Sequence, residues 1–322
     1  MNLLRTWKKW ISTSDPAQEF AATIGVFDGV HRGHQYLISQ LKAEAAERGL
    51  ATLILTFRQH PLSCLRPGCD FDILTTALQK KINLEKMHCD GLVFLDFDHE
   101  MSLLSARDFM TALRNEYRVR LLLMGYDHHF GHDRSLSFDD YQAIGRDIGI
   151  DVVRAQPLIV DGEPVSSSRI RRLLAEGDVE TANRLLGREY ITNGVVNHGH
   201  ALGRQLGFPT ANIERWDTVT QRQEMWPRNG VYAVYATVAE LGGQRFAGMA
   251  NVGNQPTFRN RGAKIEVHLF DFNEDIYGDH IRVYFVARLR DERHFDSVEE
   301  LARQIRRDGF IARQRLASQK GL

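Results

Sequence analysis

Short apolar runs punctuate the first half of the chain. Residues 22–26, 53–57, 92–97, 120–124 and 152–155 each read as a buried strand. Helical periodicity fills several of the gaps. From about 33 to 48, Leu37, Ile38, Leu41 and Ala45 lie on one stripe, and Gly49 supplies a stop. A second helix is predicted after Ser105, where Asp108 resembles the far half of a capping box and Phe109, Leu113 and Tyr117 repeat at helical spacing. Strand–helix alternation of this kind predicts a mostly parallel sheet with helices on its faces.

The pattern changes after about Gly187. Helices at 168–175 and 179–186 close the first half, and strict alternation then takes over. Val231, Ala233, Tyr235 and Thr237 alternate with Tyr232, Val234, Ala236 and Val238, and a Gly242-Gly243 turn follows. Residues 265–272 and 281–289 read as further strands, and 297–317 as a last helix with Val298, Leu301, Ile305 and Ile311 apolar. The expected architecture is a parallel α/β domain over 1–186, then a small antiparallel barrel or sandwich over 187–322 with a C-terminal helix.

Composition narrows the partners. The 322 residues suffice for two cores, and 43% hydrophobic with 25% charged residues is ordinary for a globular protein. Lys+Arg and Asp+Glu are both 41, so no overall field favours nucleic acid or an anionic membrane, and neither is expected as a partner. Cys64, Cys69 and Cys89 fit no metal or redox spacing and read as reduced thiols in a cytoplasmic protein. The first ten residues hold Arg5, Lys8 and Lys9 beside Trp7 and Trp10. They lack a signal peptide's apolar run and read as a packed surface segment.

Where the first strand meets its helix stands Gly25-Val26-Phe27-Asp28-Gly29-Val30-His31-Arg32-Gly33-His34. A helix start offers unpaired N–H groups and a positive dipole end to an anion, and Gly25, Gly29 and Gly33 permit close approach of phosphate. His31 and His34, three apart, fall on one face of the first turn and could donate to phosphate oxygens as charge moves onto a leaving pyrophosphate. Metal ligation or a structural role are the alternatives. The combination resembles the His-x-Gly-His signature of the nucleotidylyltransferases. A second segment, Val165-Ser166-Ser167-Ser168-Arg169-Ile170-Arg171, opens a helix with hydroxyls and two arginines, which suits a triphosphate or merely a cap followed by solvated arginines.

The second half carries Gly199-His200-Ala201-Leu202-Gly203-Arg204-Gln205-Leu206-Gly207-Phe208-Pro209-Thr210-Ala211-Asn212. It is no Walker loop, yet it could be a phosphate flap or a plain surface loop. Thr210 and Asn212, two apart in an extended segment, could point the same way and offer oxygens to Mg²⁺. In Ile265-Glu266-Val267-His268-Leu269-Phe270 the apolar residues take one face. Glu266 on the other is a candidate general base or a solvent-facing carboxylate.

Taken in order, these segments resemble the prokaryotic bifunctional riboflavin kinase/FMN adenylyltransferase family, also called FAD synthetase. Further matching segments are Thr56-Phe57-Arg58-Gln59-His60-Pro61, residues 125–131, residues 251–258 and Glu266-Val267-His268, so the resemblance runs from about 22 to 308. It implies a nucleotidylyltransferase-type α/β domain followed by a kinase barrel. It implies ATP as co-substrate with Mg²⁺, and riboflavin, FMN and FAD as substrate, intermediate and product. Carried onto matching positions, His31, His34 and Glu266 would be catalytic. Gly25, Phe27, Asp28, Gly33, Ser167, Ser168 and Arg171 would meet one ATP, and Gly199, Gly203 and Arg204 the other. Thr210 and Asn212 would hold Mg²⁺, while Phe57, His60, Pro61 and Asp127 would lie near flavin. The chain departs from the family at Gln59, where proline is usual, at Val26, and in the His128-His129 pair. A kinase with a weak first domain, another nucleotidylyltransferase, or a non-catalytic flavin- or nucleotide-binding regulator are the rival readings.

Overall fold

A computed structural model describes residues 4, 6–12, 15, 17–66, 71–133, 135–197, 207–215, 224–253 and 264–318. They form two compact units, 1–166 and 167–322.

The first unit runs β1 (Thr6–Ile11), β2 (Phe20–Ile24), α1 (Arg32–Arg48), β3 (Ala51–Phe57), α2 (Leu62–Leu65), α3 (Ala77–Glu85) and β4 (Gly91–Leu95). It continues with α4 (His99–Ser102), α5 (Ala106–Tyr117), β5 (Val119–Met124), α6 (Phe138–Ile148), β6 (Asp151–Arg154) and a small hairpin of β7 (Ile159–Val160) and β8 (Glu163–Pro164). The sheet order is β1-β4-β3-β2-β5-β6, parallel throughout except for β1, which pairs antiparallel with β4 at the edge. The five expected strands are all present within one or two residues. All but β6 are buried on both faces, which is why they read as continuous apolar runs. The basic N-terminal segment supplies β1, and its Trp10 packs edge-on against Phe94 at 5.8 Å.

Local chemistry places the helix ends. Gly49 takes φ +65° after α1 and donates to the carbonyls of Ala45 and Ala46. The Ser105 hydroxyl caps α5 by accepting from Asp108 N–H, and Ser137 and Asp140 form a capping box on α6.

The second unit holds α7 (Ser167–Glu176), α8 (Val179–Leu186), β9 (Tyr190–Asn197), β10 (Ala211–Arg215), β11 (Gly230–Val238), β12 (Arg245–Gly253), β13 (Lys264–Leu269), β14 (His280–Arg290) and α9 (Val298–Ser318). Six antiparallel strands close into a barrel in the order β10-β13-β12-β11-β14-β9, so the barrel alternative holds over the sandwich. Tyr232, Val234, Ala236 and Val238 are wholly buried. Ala233, on the opposite face of β11, clusters with Met249, Phe270 and Val286 under Ala312 and Leu316 of α9. The terminal helix thus covers one outer face of the barrel. Helices α7 and α8 are counted with the barrel, 20 residues before the change in sequence texture. Asn183 shows why, because its amide donates to Phe285 O and accepts from Tyr190 N–H. Among the described residues no helix is long and apolar enough to cross a membrane.

Candidate active sites

In the first unit β2 sits between β3 and β5, and the strand order reverses there. The carboxyl ends of β2 and β5 therefore part to leave the crevice in which parallel α/β sheets bind ligands. Three of the predicted segments leave from these ends: the 25–34 turn from β2, residues 57–61 from β3 and residues 125–131 from β5.

The turn is tightly constrained. Phe27 (φ +51°), Gly29 (+86°) and Val30 (+39°) all take left-handed backbone, and Phe27 and Val30 do so with buried side chains. Each such non-glycine residue costs about 1–2 kcal/mol, so surrounding contacts must impose the shape. His31 is the N-cap of α1: its Nδ1 accepts from His34 N–H at 3.2 Å, which leaves the proton of the neutral ring on Nε2. The two imidazoles stack at 3.6 Å, and Phe27 meets His34 edge-on at 5.1 Å. A Cβ on Gly33 would stand 2.6 Å from Val165 O and 3.0 Å from His31 Nδ1, so only glycine fits there. A Cβ on Gly25 would stand 3.2 Å from the Phe27 ring, a tight contact.

Asp28 is tied into the turn by its side chain. Its carboxylate is buried, accepting from Leu74 N–H and Thr75 N–H at 3.0 Å and from the Thr75 hydroxyl at 3.3 Å. Thr75 Oγ1 in turn accepts from Gly29 N–H at 3.0 Å. Carboxylate acceptors spent on backbone N–H groups hold a turn. Beside them the Lys80 ammonium, absent from the sequence reading, donates to Val26 O (3.1 Å) and Phe57 O (2.6 Å).

Of the flavin candidates, Phe57 ends β3 and meets Phe97 edge-on, His60 packs on Phe71, and Pro61 precedes α2. Asp127 is exposed on the other side of the turn. His128 next to it is held neutral, its pKa lowered to about 4 by burial. Ser167, Ser168 and Arg171 occupy the first turns of α7 and are counted with the second unit.

In the barrel, β-register brings the second set together. Glu266 on β13 pairs with Asn212 on β10 and with Asn251 on β12, so three polar side chains share one outer face. Asn212 is 7% exposed, and its Oδ1 is buried without a hydrogen-bond partner among the described residues. Glu266 Oε1 accepts from Lys264 Nζ at 2.8 Å. His268, two residues on, contacts Pro209 O at 2.8 Å, and burial keeps its pKa below the ordinary value. Two cavities lie near this row, and Asn251, Glu266 and His268 line the first of them. One, of about 350 Å³, is lined by Glu266 and Arg290 with an apolar wall of Phe208, Phe295, Leu301 and Ile305. The other, of about 390 Å³, is bordered by Glu274, Asp275 and Tyr277, and Thr210 lines both. Gly199, Gly203 and Arg204 lie outside the described residues.

Arg290 is a second residue that sequence reading missed. It forms a fork onto the buried Asp308, with Nε at 2.9 Å and Nη2 at 2.8 Å from Oδ2, and Gln304 Nε2 also donates to Asp308. The signal was there: Asp308 continues the apolar stripe of Leu301 and Ile305, where a carboxylate must be paired.

Two family models match this chain, FAD synthetase over residues 13–169 and riboflavin kinase over 186–316. The bifunctional riboflavin kinase/FMN adenylyltransferase of Escherichia coli (strain K12) is 36% identical over 93% of both chains. That of Pseudomonas fluorescens is 38% identical over 91% of both. The chain belongs to the bifunctional riboflavin kinase/FMN adenylyltransferase family. The enzyme of the same name from Bacillus subtilis (strain 168) is 36% identical over 88% of this chain and 89% of its own. A crystal structure titled as a macrolide-efflux protein from Streptococcus pneumoniae has the same fold, with TM-score 0.83 and 31% identity over 93% of this chain and 95% of that one. For a member of this family, the two clusters fall one in each matched region: the His31–His34 stack in the FAD synthetase match, and the Asn212–Glu266 pair in the riboflavin kinase match.

Proposed function

We propose that this chain phosphorylates riboflavin to FMN in its second half, residues 187–322, and adenylylates FMN to FAD in its first, residues 1–186, using ATP in both steps. The observation that carries the kinase reading is the buried Asn212 Oδ1, without a hydrogen-bond partner among the described residues, paired across the strands with Glu266, which lines the 350 Å³ cavity.

In the kinase step Glu266 takes the proton of the ribityl 5′-hydroxyl as its oxygen attacks the γ-phosphorus of ATP, and ADP leaves. The 350 Å³ cavity has the aromatic wall and the paired arginine that suit a planar, apolar ring with polar edges. Asn212 Oδ1 and the Thr210 hydroxyl are hard oxygen donors that fit Mg²⁺, which would neutralise phosphate charge when bound. Gly199, Gly203 and Arg204 complete the phosphate flap in this reading.

In the adenylyl step an FMN phosphate oxygen attacks the α-phosphorus of a second ATP and pyrophosphate leaves, with no covalent enzyme intermediate. The His31 Nε2–H and His34 stabilise the leaving phosphates. Gly25, Phe27 and Gly33 shape the turn, and Ser167, Ser168 and Arg171 bind phosphate. Phe57, His60, Pro61 and Asp127, at the ends of β3 and β5, border the flavin. The free thiols of Cys64 and Cys89 accord with a cytoplasmic enzyme.

Incubation of the protein with riboflavin, ATP and Mg²⁺ tests this, with products separated over time. FMN appears first and FAD later. FMN without FAD would leave only the kinase, and tight flavin binding without ADP release would leave a regulator.

A further inference from the structure

Lys80 is a cation in an unusual place. It sits on α3 with 5% of its surface exposed, yet its ammonium makes no ion pair within 4 Å among the described residues. Its donors go instead to two main-chain carbonyls, Val26 O and Phe57 O. Those carbonyls belong to adjacent parallel strands just where their ladder stops. The last contact is Gly25 N–H to Leu55 O at 3.1 Å, after which β2 turns away and β3 runs on to Phe57. The ammonium replaces the missing rung. Val26 O also accepts from the Thr56 hydroxyl at 3.2 Å, so the peptide that leads into Phe27 is fixed from two sides.

The residues that follow are the ones held in left-handed backbone, Phe27, Gly29 and Val30, and the turn they make delivers the His31–His34 stack. The lower side of the same turn is held by Asp28 through Leu74 and Thr75. Segment 74–80 is thus a bracket that grips the turn at Val26, Asp28 and Gly29. Helix α3 is seated to do so by its own capping box between Thr76 and Gln79.

We propose that Lys80 is a positioning residue for adenylyl transfer: by bridging the Val26 and Phe57 carbonyls it locks the carboxyl ends of β2 and β3 together and keeps the strained turn in the shape that presents His31 and His34. This rests on the reading of that turn as the adenylyl-transfer site. A neutral, donor-free side chain of the same length would take this donor from Phe57 O, leave Val26 O with the Thr56 hydroxyl, and uncouple the two strand ends that fix the turn. Placement errors near 1 Å at a reacting centre cost on the order of 10²-fold in rate.

The charge itself adds a second handle. Burial lowers the Lys80 pKa from 10.5 to about 8, opposed by Asp28 across the turn. From β3 it meets only a carbonyl, from β4 the Phe94 ring at 5.7 Å, and its helix neighbour Lys81 pairs with Glu85. Deprotonation weakens the grip on both carbonyls and removes a positive charge that interacts with the Asp28 carboxylate.

The test uses the full chain and follows both reactions on one preparation: FMN from riboflavin, and FAD from added FMN, each with ATP and Mg²⁺, from pH 6.5 to 9.5. Lys80→Met lowers kcat for FAD formation by about 10²-fold, while KM for ATP and the rate of FMN formation stay within a few-fold. Wild-type FAD formation declines on the alkaline side with a midpoint near 8, and neither FMN formation nor the residual activity of Lys80→Met follows that step. Wild-type kcat in Lys80→Met, or the same alkaline step in both proteins, would overturn the proposal. Should Lys80→Met fail to fold, the wild-type profile decides, with a flat FAD rate through pH 9 counting against the proposal. A wild-type chain that makes FMN but never FAD would refute the underlying site reading instead.

Discussion

Replacing Gly33 by alanine adds a single methyl group at the tightest point of the 25–34 turn. That methyl would lie 2.6 Å from Val165 O and 3.0 Å from His31 Nδ1. Both neighbours are constrained: one is backbone, and the other is the ring that accepts from His34 N–H. Opening the first contact from 2.6 Å to the 3.4 Å of ordinary van der Waals contact is a movement of about 0.8 Å. It must be taken up either by the 165 peptide or by the start of α1, and the latter carries both imidazoles. Overpacking of this kind costs about 1–3 kcal/mol, and alanine's better helix propensity offsets at most about 1. Stability therefore falls by only about 0–3 kcal/mol. The rate of FAD formation, which depends on placement to within about an ångström, falls roughly 10²-fold. FMN formation is the internal control and stays unchanged. The assay is initial-rate FAD formation from FMN and ATP, alongside a urea melt of the same protein. A Gly33→Ala protein with wild-type kcat would show that the His31–His34 stack need not sit where it does. A loss of rate matched by wholesale unfolding would show that the effect is not one of placement.

Three further outcomes follow from the same geometry. Glu266→Gln abolishes FMN formation by at least about 10² while FAD formation from added FMN persists; loss of both activities would mean the halves do not act separately. Asp308→Ala strands Arg290 (side chain 15% exposed against 3% for Asp308) and lowers unfolding stability by about 3–5 kcal/mol, with a raised KM for riboflavin. An unfolding curve unchanged from wild type would contradict that account. Stability also carries the signature of Lys80: with its pKa lowered from 10.5 to about 8, the folded state binds fewer protons than the unfolded one between those values. Its contribution to stability therefore rises with pH across that window, and below pH 8 the buried ammonium costs about 3 kcal/mol in full. Urea unfolding at pH 7 and pH 10 should show wild type gaining on Lys80→Met by up to that amount, and a difference that shrinks with pH would be the wrong sign.

Much of this protein is legible from residue order alone. Buried parallel strands announce themselves as apolar runs because neither face meets water, and Gly49 and Ser105 end or begin helices by chemistry local to a few residues. The His31–His34 pair and the Thr210-Ala211-Asn212 segment could be found the same way, because their meaning depends on spacing within one short stretch. Other features depend on partners far along the chain. Lys80 reads as an ordinary helix lysine until the fold carries it beneath Val26 and Phe57, 54 and 23 residues away. Asp28 finds its hydrogen-bond partners Leu74 and Thr75, 46 and 47 residues on, only in the folded chain. The face on which Glu266 lies, and the company of Asn212 and Asn251 there, were settled only by strand register around a closed barrel, since a slip of one residue turns every side chain over. Local sequence determined the elements and the chemistry they carry. Long-range burial, which pairs charges and strands with no trace in spacing, decided which of those groups stand together.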